Sequence, residues 1–348
     1  MRKPSLKDFK HICILQTAFL GDVVLTLPLV QAIKNYSPKT LITFVSTPLA
    51  ASVTSSAKAV DYIVTYDKRG IRRGFDGIKF LANHLKAQHI DCILTPHRSL
   101  RSSLVSKLTG AKYSITFNKS ALSLLYTRRV KYINNKHEID RNLDLLRAFS
   151  DYDEIIKAHL SVEVEIHSAD KSFVESTLIQ HGIADGSKFV VLAPGSVWAT
   201  KRWKEYHFAN LANQIKSEGL GVVTIGSEDE KALGRRVVGD NGFNFSGKLT
   251  IPQTLHLLSL ASVLVTNDSA PTHLAGLVNT PTITIFGPTS PIFGFRPIGE
   301  NDICLELSDL KCKPCSIHGA NTCPIKTHAC MEDLHPRAVL EAIHQILD

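Results

Sequence analysis

Residues 261–287 constrain the fold more than any other stretch of the chain. An apolar run, 261–265, ends in the polar, turn-forming Asn267-Asp268-Ser269, where a helix of small residues begins. A second apolar run, 282–287, follows at once. Strand, helix and strand in immediate succession make a parallel sheet with a helical crossover. The arrangement also gathers a carboxylate, a hydroxyl and backbone N–H groups at the carboxyl end of a strand and the start of a helix. Open α/β sheets bind phosphorylated ligands there, because unpaired N–H groups and the helix dipole favour an anion. The stretch implies a nucleotide or another phosphate-bearing ligand.

The same alternation runs along the whole chain. Strands are expected at 12–16, 41–46, 62–66 and 92–95, with helices through 32–34, at 77–87 and at 140–149. Pro28 marks a break or a fresh first turn in the first helical segment. After a mixed connecting stretch to about residue 164 the scheme repeats. Helices at 171–181, 206–218 and 252–260 alternate with strands at 189–193 and 221–225 and with the opening pair, and an amphipathic helix closes the chain at 336–347. At 348 residues and 44% hydrophobic, the chain can fill two cores. The expectation is α/β: two Rossmann-like, doubly wound domains facing across a cleft, with the ligand between them. Residues 1–165 form the first domain and 166–334 the second, and the helix 335–348 packs back toward the first.

Charged residues make up 21% of the chain, and no low-complexity tract or short repeat is present, so the protein is globular rather than disordered. Polar residues Gln16, Thr17 and Asp22 interrupt the first apolar stretch, which excludes a signal peptide. No run approaches the ~20 apolar residues of a spanning helix, and the reading is cytoplasmic. The formal charge of +8 points to acidic partners. Basic residues cluster in the first half, at Lys68-Arg69, Arg72-Arg73, Arg98, Arg101 and Arg128-Arg129-Val130-Lys131. Little aromatic interleaving accompanies them, so nucleic acid is not an expected partner.

No Gly-x-Gly-x-x-Gly fingerprint follows a first strand and no Walker A motif is present, which demotes hydride transfer and P-loop phosphoryl transfer. Four strand-end loops remain. They are Leu20-Gly21-Asp22, the stretch from Pro194-Gly195-Ser196 to Lys201-Arg202-Trp203, Gly226-Ser227-Glu228, and Asn267-Asp268-Ser269.

These loops, in this order, resemble those of the ADP-heptose:lipopolysaccharide heptosyltransferases, glycosyltransferase family 9, closest to the second-heptose type. The segments that carry the resemblance are Gly21-Asp22-Val23-Val24 through Pro28, Ala193-Pro194-Gly195-Ser196 with Lys201-Arg202-Trp203, and Asn267-Asp268-Ser269 through Gly276 with Phe286-Gly287-Pro288. The second-heptose lean rests on residues 17–22 and Pro288-Thr289.

The resemblance implies the GT-B fold and an inverting transfer of heptose from ADP-L-glycero-D-manno-heptose to the Kdo/heptose–lipid A inner core of lipopolysaccharide. It assigns Asp22 as the base that relieves the acceptor hydroxyl of its proton; read alone, the same residue could simply cap the next helix. It places diphosphate contacts at Lys201 and Ser196, where a lysine neutralises the leaving phosphate. Asp268 holds sugar hydroxyls, and Ser269 with the N–H groups after it, Ala270 first, takes a phosphate. Here Asp268-Ser269-Ala270-Pro271 stands where the family pattern reads Asp-Thr-Gly-Leu, which keeps the hydroxyl. Glu228 falls where a ribose-binding carboxylate is expected, with Asp229 and Glu230 competing for that role. Kdo carboxylates and phosphates call for guanidinium partners, for which Arg98, Arg101, Arg72 and Arg73 are the candidates. The same charge suits peripheral contact with the anionic cytoplasmic leaflet of the inner membrane. Two alternatives stay open: transfer of another nucleotide-activated sugar to a surface glycan, or a non-catalytic sugar-nucleotide-binding homologue.

Three of the seven cysteines, Cys13, Cys92 and Cys304, lie in or near apolar segments and read as inert thiols. Cys312, Cys315, Cys323 and Cys330 form a Cys-x2-Cys-x7-Cys-x6-Cys pattern with His318 and His328 interspersed. In a cytoplasmic chain that spacing fits a structural tetrahedral zinc site or reduced, unliganded thiols. Any such metal is expected to lie far from the chemistry. No Asp-x-Asp motif is present, and no cofactor is required for catalysis.

Overall fold

The computed structural model describes residues 2–68, 70, 73–157, 161–239 and 242–348. The chain divides into two compact units, 1–165 and 166–348. Each is built on its own six-stranded parallel sheet.

The first sheet comprises β1 (His11–Leu15), β2 (Leu41–Ser46), β3 (Tyr62–Thr65), β4 (Cys92–Thr95), β5 (Tyr113–Phe117) and β6 (Arg128–Val130), in the order β3-β2-β1-β4-β5-β6. The second comprises β7 (Phe189–Ala193), β8 (Gly221–Thr224), β9 (Phe243–Asn244), β10 (Val263–Asn267), β11 (Thr282–Phe286) and β12 (Ile303–Glu306), in the order β9-β8-β7-β10-β11-β12. Counted from its own first strand, each sheet runs 3-2-1-4-5-6, the doubly wound order of a dinucleotide-binding fold. In such a sheet the order reverses beside the first strand. The loops after β1 and β4, and after β7 and β10, therefore flank the switch points where open α/β sheets take their ligands.

Burial explains why these runs are strands. Residues 189–193, 263–267 and 282–286 are buried throughout, as expected of strands covered by helices on both faces. In the second unit Val190, Leu192, Val265 and Ile283 pack with Phe208, Leu211 and Ile215 from the helix Glu205–Ser217. In the first, Cys13, Leu15, Val45 and Ile93 pack with Leu81 and Leu85 from the helix Gly74–Ala87. The terminal helix Pro336–Leu347 buries Val339, Ala342 and Ile343 in this second core. Cys13 and Cys92 are fully buried and Cys304 is half-buried. No helix among the described residues is long and apolar enough to cross a membrane.

Pro28 opens a new helix, Leu27–Tyr36, after the short helix Leu20–Val24. The opening stretch shifts register: β10 extends through Thr266 and Asn267, so Asn267 is a buried strand residue rather than part of the turn.

Candidate functional site

In the second unit the loops after β7 and β10 are tied together by Asn267. Its Oδ1 accepts from the Trp203 backbone N–H at 2.9 Å, and its Nδ2 donates to the carbonyls of Pro194 at 2.9 Å and Gly195 at 3.2 Å. Trp203 is buried and donates its indole N–H to the Leu334 carbonyl at 2.8 Å. The two loops therefore sit in one fixed arrangement.

That arrangement places Lys201 on Asp268. The Lys201 Nζ lies 2.6 Å from Asp268 Oδ2 and also donates to the Asp268 carbonyl at 3.1 Å. Thr289, past the end of β11, donates its hydroxyl to the same Oδ2 at 2.7 Å. Lysine and aspartate side chains are only 12% and 8% exposed, so the pair is desolvated enough for its charge to matter. Ser269 caps the helix Ala270–Leu277 by position, but its hydroxyl donates to the Asn267 carbonyl at 3.3 Å instead of capping. Pro271 in the first turn has no N–H to offer, which leaves the Ala270 N–H as the first donor at that helix start.

Ser196 is buried and lines a cavity of about 1200 Å³ together with Arg202, Ser227, Asp229 and Glu230. Arg202 donates its Nε to the Ser196 carbonyl at 2.7 Å. Of the three competing carboxylates, Asp229 and Glu230 line this cavity, whereas Glu228 pairs with Lys231 at 3.3 Å and is largely exposed. Glu230 accepts from the Ser227 N–H at 2.8 Å and lies so close over Gly195 that a Cβ there would run into its carboxylate. A side chain at 195 would therefore have to push the Glu230 carboxylate aside. The sequence reading passed over Asn267 and Thr289 as linking residues. A buried amide between two loops could have been suspected only had the strand been extended by two residues.

In the first unit Asp22 lies in the first turn of Leu20–Val24 and accepts from the Phe19 N–H at 3.2 Å. The Thr26 hydroxyl donates to the Asp22 carbonyl at 2.8 Å, and Gln16 and Asn142 donate to Thr26 Oγ1 at 3.2 and 3.4 Å. Of the expected acceptor arginines, Arg98 is exposed and stacks its guanidinium on Tyr132, 4.2 Å from the ring centroid. Arg101 donates to the Lys68 carbonyl at 2.8 Å, which holds the loop after β3. Arg73 is exposed before the helix Gly74–Ala87, and Arg72 lies outside the described residues. His97, between β4 and Arg98, bonds Thr17 and Ser102; burial, with Lys68 and Arg98 beside it, pushes its ring down to about 4, so it is neutral at physiological pH.

The cysteine segment folds over Thr200, the residue before Lys201. The Thr200 N–H and hydroxyl both donate to the Ala320 carbonyl, the Ala320 N–H donates to the Thr200 hydroxyl, and His328 Nε2 lies 2.8 Å from the Thr200 carbonyl. Cys312, Cys315, Cys323 and Cys330 all line one hollow of about 100 Å³ beneath these contacts. Burial pushes the Cys330 thiol up to about 11. At Cys323 burial is outweighed by the backbone N–H groups of His328, Ile325, Lys326 and Thr327, which hold the thiol below its ordinary value. Among the described residues, no three His, Cys, Asp or Glu side chains converge as a metal-binding group.

The comparisons with known proteins agree on one family. Residues 78–325 match the model of glycosyltransferase family 9 (heptosyltransferase). A lipooligosaccharide heptosyltransferase 2 of Campylobacter jejuni is 27% identical over 350 residues, covering 98% of this chain and 99% of its own. The lipopolysaccharide core heptosyltransferase OpsX of Haemophilus influenzae is 26% identical, covering 81% of this chain and 80% of its own. Among solved structures, a family 9 glycosyltransferase of Veillonella parvula superposes with a TM-score of 0.84 at 20% identity, covering 99% of this chain and 98% of its own. The ADP-heptose heptosyltransferase II of Escherichia coli superposes with a TM-score of 0.78 at 21% identity, covering 97% and 98%. The fold is accordingly GT-B, and the chain belongs to glycosyltransferase family 9, the heptosyltransferase family.

Proposed function

We propose that the chain is an inverting glycosyltransferase that moves heptose from ADP-L-glycero-D-manno-heptose to the Kdo/heptose–lipid A inner core of lipopolysaccharide. The observation that carries this reading is the buried Lys201–Asp268 pair at the strand ends of the second unit, fixed by Thr289 and by the Asn267 links. A diphosphate competes with Asp268 for the Lys201 ammonium. Once it takes that cation, the Asp268 carboxylate is released to accept hydrogen bonds from sugar hydroxyls. Ser196, the Ser269 hydroxyl and the Ala270 N–H supply further donors to the departing ADP, and stabilisation that grows with the leaving charge lowers the barrier. Asp229 and Glu230 are better placed than Glu228 for a ribose, since they line the cavity that Ser196 also lines.

Asp22 acts as the base. It takes the acceptor proton while the hydroxyl oxygen attacks the anomeric carbon and the bond to the ADP phosphate oxygen breaks. Arg98 and Arg73 hold acceptor anions, and the basic face of the first unit rests against an anionic leaflet. The relatives named heptosyltransferase 2 support addition of the second heptose. For the four cysteines a structural zinc site, not a catalytic one, stands beside reduced, unliganded thiols as the alternative. The shared hollow and the stabilised Cys323 thiolate fit that role, and Cys315, whose Sγ donates to the Cys312 carbonyl, must turn to complete it.

The test is turnover of ADP-heptose with Kdo–lipid A, with and without one heptose attached, for the wild type and Asp22→Ala. Transfer only to the heptosylated acceptor, lost in the variant while ADP binding survives, is the expected result. Hydrolysis or neglect of ADP-heptose on both acceptors would sink the substrate assignment, and full activity in the variant would remove Asp22 as base.

A further inference from the structure

The neighbourhood of Asp22 holds a second carboxylate that the proposed mechanism does not use. Glu138 opens the helix Glu138–Asp144, and its side chain is 12% exposed. Its Oε2 accepts from the Arg141 Nε at 2.6 Å, and Arg141, itself 3% exposed, donates from a second nitrogen to the Asn134 carbonyl at 2.9 Å. Both arginines stand over one ring: the Arg141 guanidinium lies 5.2 Å and that of Arg98 4.2 Å from the Tyr132 centroid, with the Lys119 ammonium at 5.7 Å. This helix is fastened to the one that carries Asp22. Asn142 Nδ2 donates to the Leu25 carbonyl at 3.0 Å and to Thr26 Oγ1 at 3.4 Å, and Thr26 in turn donates to the Asp22 carbonyl. The frame therefore fixes Glu138 relative to Asp22 through buried hydrogen bonds.

We infer that Glu138 is a positioning residue for Asp22: it anchors Arg141 in the frame, and its negative charge raises the proton affinity of the base. The inference rests on the reading of Asp22 as base. Charged or titratable groups face Glu138 from every element of the frame. Arg141 lies on its own helix, Asp22 on the helix Leu20–Val24, Arg98 after β4, and Tyr132 after β6. Burial pushes the Glu138 carboxyl above its ordinary value. Arg141 opposes that rise, Asp22 adds to it and Arg98 opposes it again. The interaction of two carboxylates is mutual, so a negative Glu138 disfavours a negative Asp22 and makes it the stronger base. A base that holds its proton more tightly transfers it from the acceptor hydroxyl with greater driving force.

The experiment is the pH profile of kcat/KM for ADP-heptose and heptosylated Kdo–lipid A, with the wild type, Glu138→Gln, Glu138→Asp and Asp22→Asn. The glutamine keeps an oxygen for Arg141 but loses the charge. Its acid limb should move to lower pH, with the plateau reduced about tenfold. Glu138→Asp keeps the charge and should retain the wild-type limb, a rescue that a purely structural role would not produce. An unmoved limb in Glu138→Gln, or an equal displacement in Glu138→Asp, overturns the inference while an inactive Asp22→Asn leaves the base reading standing. Should Glu138→Gln fail to fold, Glu138→Ala takes its place, with the same shift of the limb expected and an unmoved limb again overturning the inference. Retained activity in Asp22→Asn overturns both.

Discussion

Lys201 and Asp268 show how two residues with separate sequence-level roles become one device. The family resemblance implied a separate role for each, one for phosphate and one for sugar. The structure sets them 2.6 Å apart with little solvent between them and the Thr289 hydroxyl holding the carboxylate from the other side. An ammonium that already has a partner binds diphosphate only to the extent that the new bonds outweigh the old. Removing the partner therefore has an asymmetric effect. In Asp268→Asn the lysine is freed, so ADP should bind as tightly as before or more tightly, while turnover of ADP-heptose falls by roughly 10²-fold through lost sugar contacts. In Lys201→Met the carboxylate is left buried and unpaired, and ADP affinity should fall about tenfold or more. Titration calorimetry with ADP beside turnover assays separates the two. Equal loss of ADP affinity in both variants would mean that the pair persists in the bound state.

At the scale of elements, legibility followed burial. Strands covered on both faces, such as 189–193 and 282–286, are continuous apolar runs and were readable from sequence. The strands that escaped are mainly those at sheet edges. β6 carries Arg128 and Arg129 in a three-residue strand and read only as a basic cluster, β9 is two residues long, and β12 is half-buried throughout. β5 also went unread despite four buried residues, because Ser114 and Thr116 interrupt its apolar character. The helices Leu100–Thr109 and Lys231–Val238 were missed as well, the first for its serines and the second because two arginines and Gly234 dilute its buried face. In the site, the loops were legible because glycine, proline and carboxylate cluster there. The pairings were not, because Lys201 and Asp268 are 67 residues apart.

The cysteine segment belongs to this scale too. Its spacing was plain, but its attachment to Thr200, the residue before Lys201, was not. Metal analysis of the purified protein should return about one zinc per chain, lost in Cys323→Ser together with affinity for ADP. No bound metal, with unchanged ADP affinity in Cys323→Ser, would leave reduced thiols as the correct reading.

For the whole molecule, the repeated strand order matters more than any single motif. Two sheets wound 3-2-1-4-5-6 present equivalent switch points, yet their strand-end loops differ in chemistry. The first unit brings the Asp22 carboxylate together with Tyr132 and two guanidinium groups, those of Arg98 and Arg141. The second brings a buried lysine–aspartate pair, a glycine that admits close approach and a helix start with a donor N–H. In the proposed reading the second set takes the nucleotide diphosphate, with fixed donors and one cation. Hydrogen exchange on the intact chain with and without ADP reads this division directly. Ligand that binds the native state protects the amides it orders. Protection should therefore concentrate at 194–203, 226–230 and 267–272, and the loops at 17–22 and 97–101 should respond less to ADP than to the acceptor. Protection by ADP centred on 17–22 would reverse the assignment of the two halves, because it would put the nucleotide against the carboxylate proposed to meet the acceptor.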